Sequence, residues 1–259
     1  MTVINSWPEF AESVRSRRQD LLREVGRYPG AILISGCQRS GTTMLSRLLM
    51  QASGFVPYQI THDNELDAAL LLSGEYTRPM PAGRYCFQTT YLNECWREYA
   101  RLGAQQRVVW VLRRPDSVVW SMVYHWKAFA RNELYGACGR PVEERYAEAW
   151  QQATAWQRWR YRHAWRACMA YIGKTRQLDD IRVVLGDRLK VVDYDALVSD
   201  PTSQLSALYE WLGVPFDALA ARTVQTRSLD RAAALKPVER AWVEQLCQPV
   251  YQAACDRYL

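Results

Sequence analysis

A chain of 259 residues is long enough to bury a sizeable core, which sets it apart from the small domains that need staples. Its 49% apolar and 23% charged residues match an ordinary folded domain and exclude a disordered or fibrous chain. The net charge of +6 suits an anionic ligand, but no dense basic run, zinc-finger spacing or RRM-type signature accompanies it, so nucleic acid is not the expected partner.

Residues 5–28 read as a helix with mixed faces. "AILIS" (31–35) is a short apolar run ending at a glycine, the pattern of a buried parallel strand. The following "TTMLSRLLMQAS" (42–53) puts Met44, Leu45, Leu48 and Leu49 on one helical face. "FVPYQI" (55–60) predicts a second short strand, "NELDAALLL" (64–72) a helix, and "EYTRPMPAG" (75–83) a loop. "RYCFQTT" (84–90) alternates like a strand, and "NECWREYARLG" (93–103) reads as a helix ending at Gly103. "RVVWVL" (107–112) is the clearest strand, leading into a helix over 113–134 capped by Asp116 or Ser117.

A long helix is expected over 142–175, carrying Trp150, Trp156, Trp159 and Trp165. "RLKVVDY" (188–194) is another strand. The helix over 199–213 has Asp200 as N-cap, Pro201 at its first position and Gly213 as its stop. The last helix covers about 237–257. Strands alternate with helices throughout, without repeat or linker. The expected fold is therefore α/β, an open parallel β-sheet flanked by helices on both faces, in one domain over 1–259. The seven cysteines form no C-x-x-C pair, so free thiols are expected rather than a zinc site or disulfides. No apolar run reaches the roughly 18 residues of a membrane helix. The first twenty residues lack the basic-then-apolar order of a signal peptide, so a cytoplasmic location is expected.

Two stretches carry chemistry. "GCQRSGTT" (36–43) joins the first strand to the first strong helix, with Gly36 and Gly41 spaced as in a phosphate loop but Thr42 where a P-loop has lysine. Glycines let backbone N–H groups curl around an anion, and the helix aims its positive end at the same place. Arg39, Ser40, Thr42 and Thr43 add side-chain donors. Arg113 follows the 107–112 strand, where open α/β sheets bind ligands, and Ser121 stands eight residues on. An arginine fork and a helix serine can converge on one phosphate.

Together "RSGTT" (39–43), "RRPDSVVWS" (113–121) and "VVDYDALVSDPTSQLSALYEWLGVP" (191–215) resemble, in order, the motifs of the sulfotransferases that use 3′-phosphoadenosine 5′-phosphosulfate (PAPS). The resemblance spans about residues 31–215 and implies a P-loop-like three-layer sandwich. It implies PAPS as donor, the bisphosphate PAP as product, and no metal. Arg39, Ser40, Gly41, Thr42 and Thr43 would hold the phosphosulfate, Arg113 and Ser121 the 3′-phosphate, and Tyr194 would lie near the adenine. Arg227 and Arg231 are candidates for a late basic loop on the 3′-phosphate.

Sulfuryl transfer asks for positioning and electrostatics, with Arg39 neutralising charge on the bridging oxygen. A base should take the acceptor's proton. The animal cytosolic relatives place a histidine in a K-T-H stretch, where this chain has "QTT" (88–90). Other relatives use a glutamate some 20-odd residues after the loop arginine. Glu65 is favoured here, then His62, with Asp63 also available. The expected acceptor is the hydroxyl of a small metabolite or a glycan, with Trp126, Phe129, Tyr146 and Trp150 either lining its pocket or belonging to the core. Two rival readings are a P-loop kinase, disfavoured by the missing lysine and by Arg113-Arg114 at the strand end, and a non-catalytic adenosine-phosphate binding protein.

Overall fold

The computed structural model describes residues 4–16, 20–224 and 233–259. In chain order the α-helices before the third strand are α1 (Trp7–Phe10), α2 (Thr42–Met50) and α3 (Asn64–Ser73). Between the third and fourth strands come α4 (Pro115–Tyr124), α5 (Ala128–Leu134), α6 (Arg140–Glu143), α7 (Ala147–Gln152), α8 (Ala155–Arg160) and α9 (Arg162–Leu185). After the fourth strand come α10 (Tyr194–Ser199), α11 (Pro201–Leu212), α12 (Ala218–Arg222), α13 (Pro237–Trp242) and α14 (Gln248–Tyr258). The strands are β1 (Ile32–Gly36), β2 (Cys86–Gln88), β3 (Arg107–Leu112) and β4 (Leu189–Asp193). They form one sheet in the order β2-β1-β3-β4, and every pairing is parallel. Ile32 stands opposite Cys86 on one side and Arg107 on the other.

The two-residue period of the strands splits the core into two layers. Leu33, Phe87, Val108, Trp110, Leu112, Leu189 and Val191 face a large apolar cluster with α3, α4, α9, α13 and α14. Ile32, Ile34, Cys86, Val109, Val111 and Val192 face a second cluster with α2, α10 and α11. A strand buried on both faces has no polar alternation, which is why β1 and β3 read as continuous apolar runs. The α/β fold with a parallel sheet between helical layers is as the sequence predicts.

Several boundaries differ, each for a local reason. Over 55–60 there is no ladder; Phe55 alone bridges Arg84, and Pro57 has no N–H to extend the pairing. Residues 96–101 wind as a 3-10 helix, entered through Asn93 at φ 46°. Pro115 takes the first position of α4, so Arg114 is its N-cap rather than Asp116 or Ser117. Asp116 instead accepts from the Ser117 N–H at 2.6 Å and pairs with Arg114 at 3.0 Å. The expected 113–134 helix breaks at residues 125–127, between α4 and α5.

The expected 142–175 helix breaks at Ala153 and at Tyr161, and Thr154 with Gln157 makes a capping box that restarts it as α8. Two wide π turns, Tyr135–Gly139 and Val243–Cys247, precede Pro141 and Pro249, whose missing N–H cannot continue the ordinary ladder. Of the expected 5–28 helix, the described residues form α1, a π turn over Ala11–Arg15 and a 3-10 turn over Val25–Arg27. The 199–213 segment follows its caps: Asp200 accepts from Ser203, and Gly213 closes α11 in the left-handed conformation. Cys37, Cys86, Cys95, Cys138, Cys168, Cys247 and Cys255 are free thiols. Among the described residues, no helix is long and apolar enough to cross a membrane.

The layers position the site. After β1 the chain turns into α2 on one face; after the adjacent β3 it turns into α4 on the other. Two neighbouring strands whose loops part in opposite directions leave a crevice at their carboxyl ends.

Candidate functional site

Gly36 ends β1 so close to β3 that a Cβ would lie 2.5 Å from the Val111 carbonyl oxygen. The loop then closes tightly, with the Ser40 N–H donating to the Cys37 carbonyl at 3.1 Å. Arg39 is held at φ 72°, a conformation that non-glycine residues adopt at a cost. Gly41 caps α2 at φ 96°. A Cβ there would sit 2.1 Å from the ring of Tyr194. Thr42 and Thr43 occupy the first turn of α2, where backbone N–H groups have no intrahelical acceptor. The Ser40 and Ser117 hydroxyls are buried with no hydrogen-bond partner among the described residues, donors for which an anion is the natural complement.

Gly41→Ala is expected to destabilise the fold by about 1–3 kcal/mol, through its backbone conformation and the displaced Tyr194 ring. Denaturant unfolding of the variant checks this; an unchanged midpoint would mean that Tyr194 does not pack on the loop.

The second sequence motif meets the first. Arg113, 7% exposed, follows β3 and donates from Nη1 to the Arg39 carbonyl at 3.1 Å. Its guanidinium lies 4.3 Å from the Tyr194 ring centroid. The Tyr171 hydroxyl donates to its carbonyl at 2.9 Å. Arg39 Nε donates to the Ser121 hydroxyl at 2.9 Å. Burial first, and then the neighbouring Arg113, lower the Arg39 pKa from its usual value. The exposed Arg39 guanidinium, crowded against the buried Arg113, favours an anion between them. Arg39, Ser40, Gly41, Thr42, Thr43, Arg113, Ser121 and Tyr194 are thus in one place; Arg227 and Arg231 lie outside the described residues.

The opposite wall is acidic. Glu65, in the first turn of α3, is partly buried. It accepts from Gln88 Nε2 at 3.0 Å and from the Thr90 hydroxyl. Gln88 Nε2 also reaches the Thr42 hydroxyl at 3.3 Å, linking the carboxylate to the phosphate loop. Burial raises the Glu65 pKa to about 7, against the lowering pull of the Thr90 hydrogen bond. His62 is exposed and lines the neighbouring cavity, which Glu65 also borders, but not the cleft at the phosphate loop. Asp63 is engaged as the N-cap of α3, accepting from the N–H groups of Glu65 and Leu66 at 3.0 and 3.3 Å and from the Trp7 indole at 2.9 Å.

The cleft has a volume of about 270 Å³ and adjoins a cavity of about 470 Å³. Gln38, Arg39, Thr43, Glu65, Gln88 and Trp126 border both. Of the aromatic residues considered for an acceptor pocket, Trp126 lines the cleft, while Trp150 packs at 4.7 Å on Trp165 and 5.8 Å from Trp242 within the core. Tyr146 takes a hydrogen bond from Arg176, and Phe129 is 46% exposed.

Sequence reasoning missed the support behind the loop. Lys174 is buried on α9 and donates to the Asn93 carbonyl at 2.9 Å. The Asn93 side chain accepts from Gln38 Nε2 at 2.6 Å, and Gln38 also donates to the Thr90 carbonyl at 3.0 Å. Burial lowers the Lys174 pKa. Nothing in helical spacing marks Lys174, whose partner is a backbone atom 81 residues away. Gln88 and Thr90 were signalled by their place at a strand end and by "QTT" (88–90) standing where relatives carry K-T-H, but not as partners of Glu65.

Residues 100–218 match the family model described as "Sulfotransferase family". No curated protein matches the chain. Solved structures that share its fold include the following three. The sulfotransferase domain from the curacin biosynthetic pathway has a TM-score of 0.52 at 16% identity, covering 90% of this chain and 99% of its own. The sulfotransferase domain from the Synechococcus PCC 7002 olefin synthase has 0.51 at 16% identity, over 88% and 94%. Mouse sulfotransferase SULT7A1 complexed with PAP has 0.50 at 12% identity, over 92% and 93%.

Proposed function

We propose that this chain, sulfotransferase-like in its fold and in the family match of its central segment, transfers a sulfonate group from PAPS to the hydroxyl of a small metabolite or glycan. The observation that carries the reading is the convergence of Arg39, Ser121 and Arg113 on the phosphate loop, opposite a carboxylate at Glu65. The buried, unpartnered hydroxyls of Ser40 and Ser117 and the glycine cradle fit a phosphorylated nucleotide. When bound, PAPS supplies an activated sulfonate on its 5′-phosphate.

Each residue then has a task. The loop N–H groups, Thr42 and Thr43 hold the 5′-phosphate. Arg39 meets the charge that develops on the bridging oxygen. Arg113 and Ser121 hold the 3′-phosphate, and Tyr194 sits on the adenine side, stacked with Arg113. Glu65 takes the proton from the acceptor hydroxyl, its raised pKa suiting a base at neutral pH. Gln88 and Thr90 orient that carboxylate. The presence of Glu65 in the cleft speaks against a non-catalytic binding protein, and the lysine-free loop against a kinase.

The test is donor discrimination. Arg113→Ala is expected to reduce the preference for PAPS over adenosine 5′-phosphosulfate, which lacks the 3′-phosphate, by about 10- to 100-fold. Competition binding with both nucleotides measures it. An unchanged preference would remove Arg113 from the 3′-phosphate.

A further inference from the structure

Most of the tryptophans between 96 and 165 are packed, but α8 is an exception. Trp156 and Trp159 are 59% and 67% exposed. Their neighbours Trp150 and Trp165 bury against Trp242, so the exposure belongs to α8 and not to the whole segment. The helix is firmly started by the Thr154–Gln157 capping box. Arg158, Arg160 and Arg162 alternate through and beyond it, and residues 149–178 contain no Asp or Glu. Among the described residues, none of these three arginines forms an ion pair. Lys236 lies 5.8 Å from the centroid of the Tyr161 ring, and Tyr124, 41% exposed, donates its hydroxyl to Glu239 at 2.7 Å.

Exposed indole rings beside guanidinium groups that form no ion pair among the described residues match the boundary of a bilayer. There Trp sits at headgroup level, and Arg extends along the apolar body to reach the phosphates. A single-stranded nucleic acid would need a groove to follow its backbone. Trp156 and Trp159 border neither the cleft nor the adjoining cavity. We propose that α8 docks this protein reversibly on an anionic lipid surface, with Trp156 and Trp159 entering the headgroup layer and Arg158, Arg160 and Arg162 meeting lipid phosphates. A six-residue helix is too short for deep insertion, so the attachment is shallow and salt-sensitive. Tyr124 ends α4, whose Ser117, Trp120 and Ser121 line the cleft, so the docked face adjoins the site. The inference is independent of the sulfonate-transfer reading.

Cosedimentation of the full chain with vesicles tests it. Vesicles of phosphatidylcholine with phosphatidylglycerol should bind the protein at least about tenfold more tightly than phosphatidylcholine alone, and about 0.5 M salt should release it. The pairs W156A/W159A and R160E/R162E should each weaken binding to the anionic vesicles about tenfold, with thermal unfolding unchanged because all four residues are exposed. A wild-type chain that stays in the supernatant, whether because α8 meets a protein or a second copy instead, overturns the proposal. So does binding that both variants retain.

Discussion

Arg39→Ala is expected to lower kcat for sulfonate transfer by about 10²- to 10³-fold while the protein stays folded. Arg39 places its guanidinium between the loop and Ser121, beside Arg113, in a site where burial already lowers its pKa. Arg39 is exposed at the cleft wall but fixed to Ser121 beside the buried Arg113, so its removal takes away an oriented cation that a mobile surface charge would not match. The backbone of the loop, the α2 N-terminus and Arg113 remain, and nucleotide binding should therefore weaken less than turnover. Single-turnover rates beside binding constants separate the two effects. A variant that loses only affinity would make Arg39 an anchor with no part in the chemical step.

Glu65→Gln is expected to cost about 10²- to 10⁴-fold in rate with little loss of nucleotide affinity. Its pH dependence is more telling. The carboxyl pKa is raised to about 7 by burial, and the base form is the ionised one, so the wild-type rate should rise with pH up to about 7 and level off above it. The Gln variant should lose that slope. The same shift has a stability consequence of defined sign. A carboxyl titrating higher in the folded than in the unfolded chain binds a proton on folding, so its contribution weakens as pH rises from its unfolded value toward about 7. If the slope persisted in the Gln variant, another group would be the base, with His62 in the adjoining cavity the next candidate.

The parts of this protein that rest on one-dimensional signals were legible in the sequence. β3 follows "RVVWVL" residue for residue, since a strand buried on both faces needs an unbroken apolar run. The Asp200-Pro201 start and Gly213 stop of α11 are cap chemistry, readable in place. The phosphate loop was legible because its glycines answer steric demands from Val111 and Tyr194. What was not legible depends on partners distant in sequence. The helices over 113–134 and 142–175 break at positions with no proline or glycine to announce it; the first break brings Trp126 to the cleft. Asp63, His62 and Glu65 are interchangeable as letters. Only the third dimension turns Glu65 to Gln88 and Thr90, engages Asp63 as a cap, and leaves His62 exposed in the next cavity.

The most direct measurement is a calorimetric titration with 3′,5′-adenosine bisphosphate, beside one with ATP and magnesium. The arrangement of Arg39, Arg113 and Ser121 around a loop without lysine predicts binding of the bisphosphate at about micromolar Kd or tighter and weak binding of ATP. Tight ATP–magnesium binding with none of the bisphosphate would contradict the sulfonate-transfer account and restore the kinase. Binding of neither nucleotide would reduce the loop to a turn between β1 and α2.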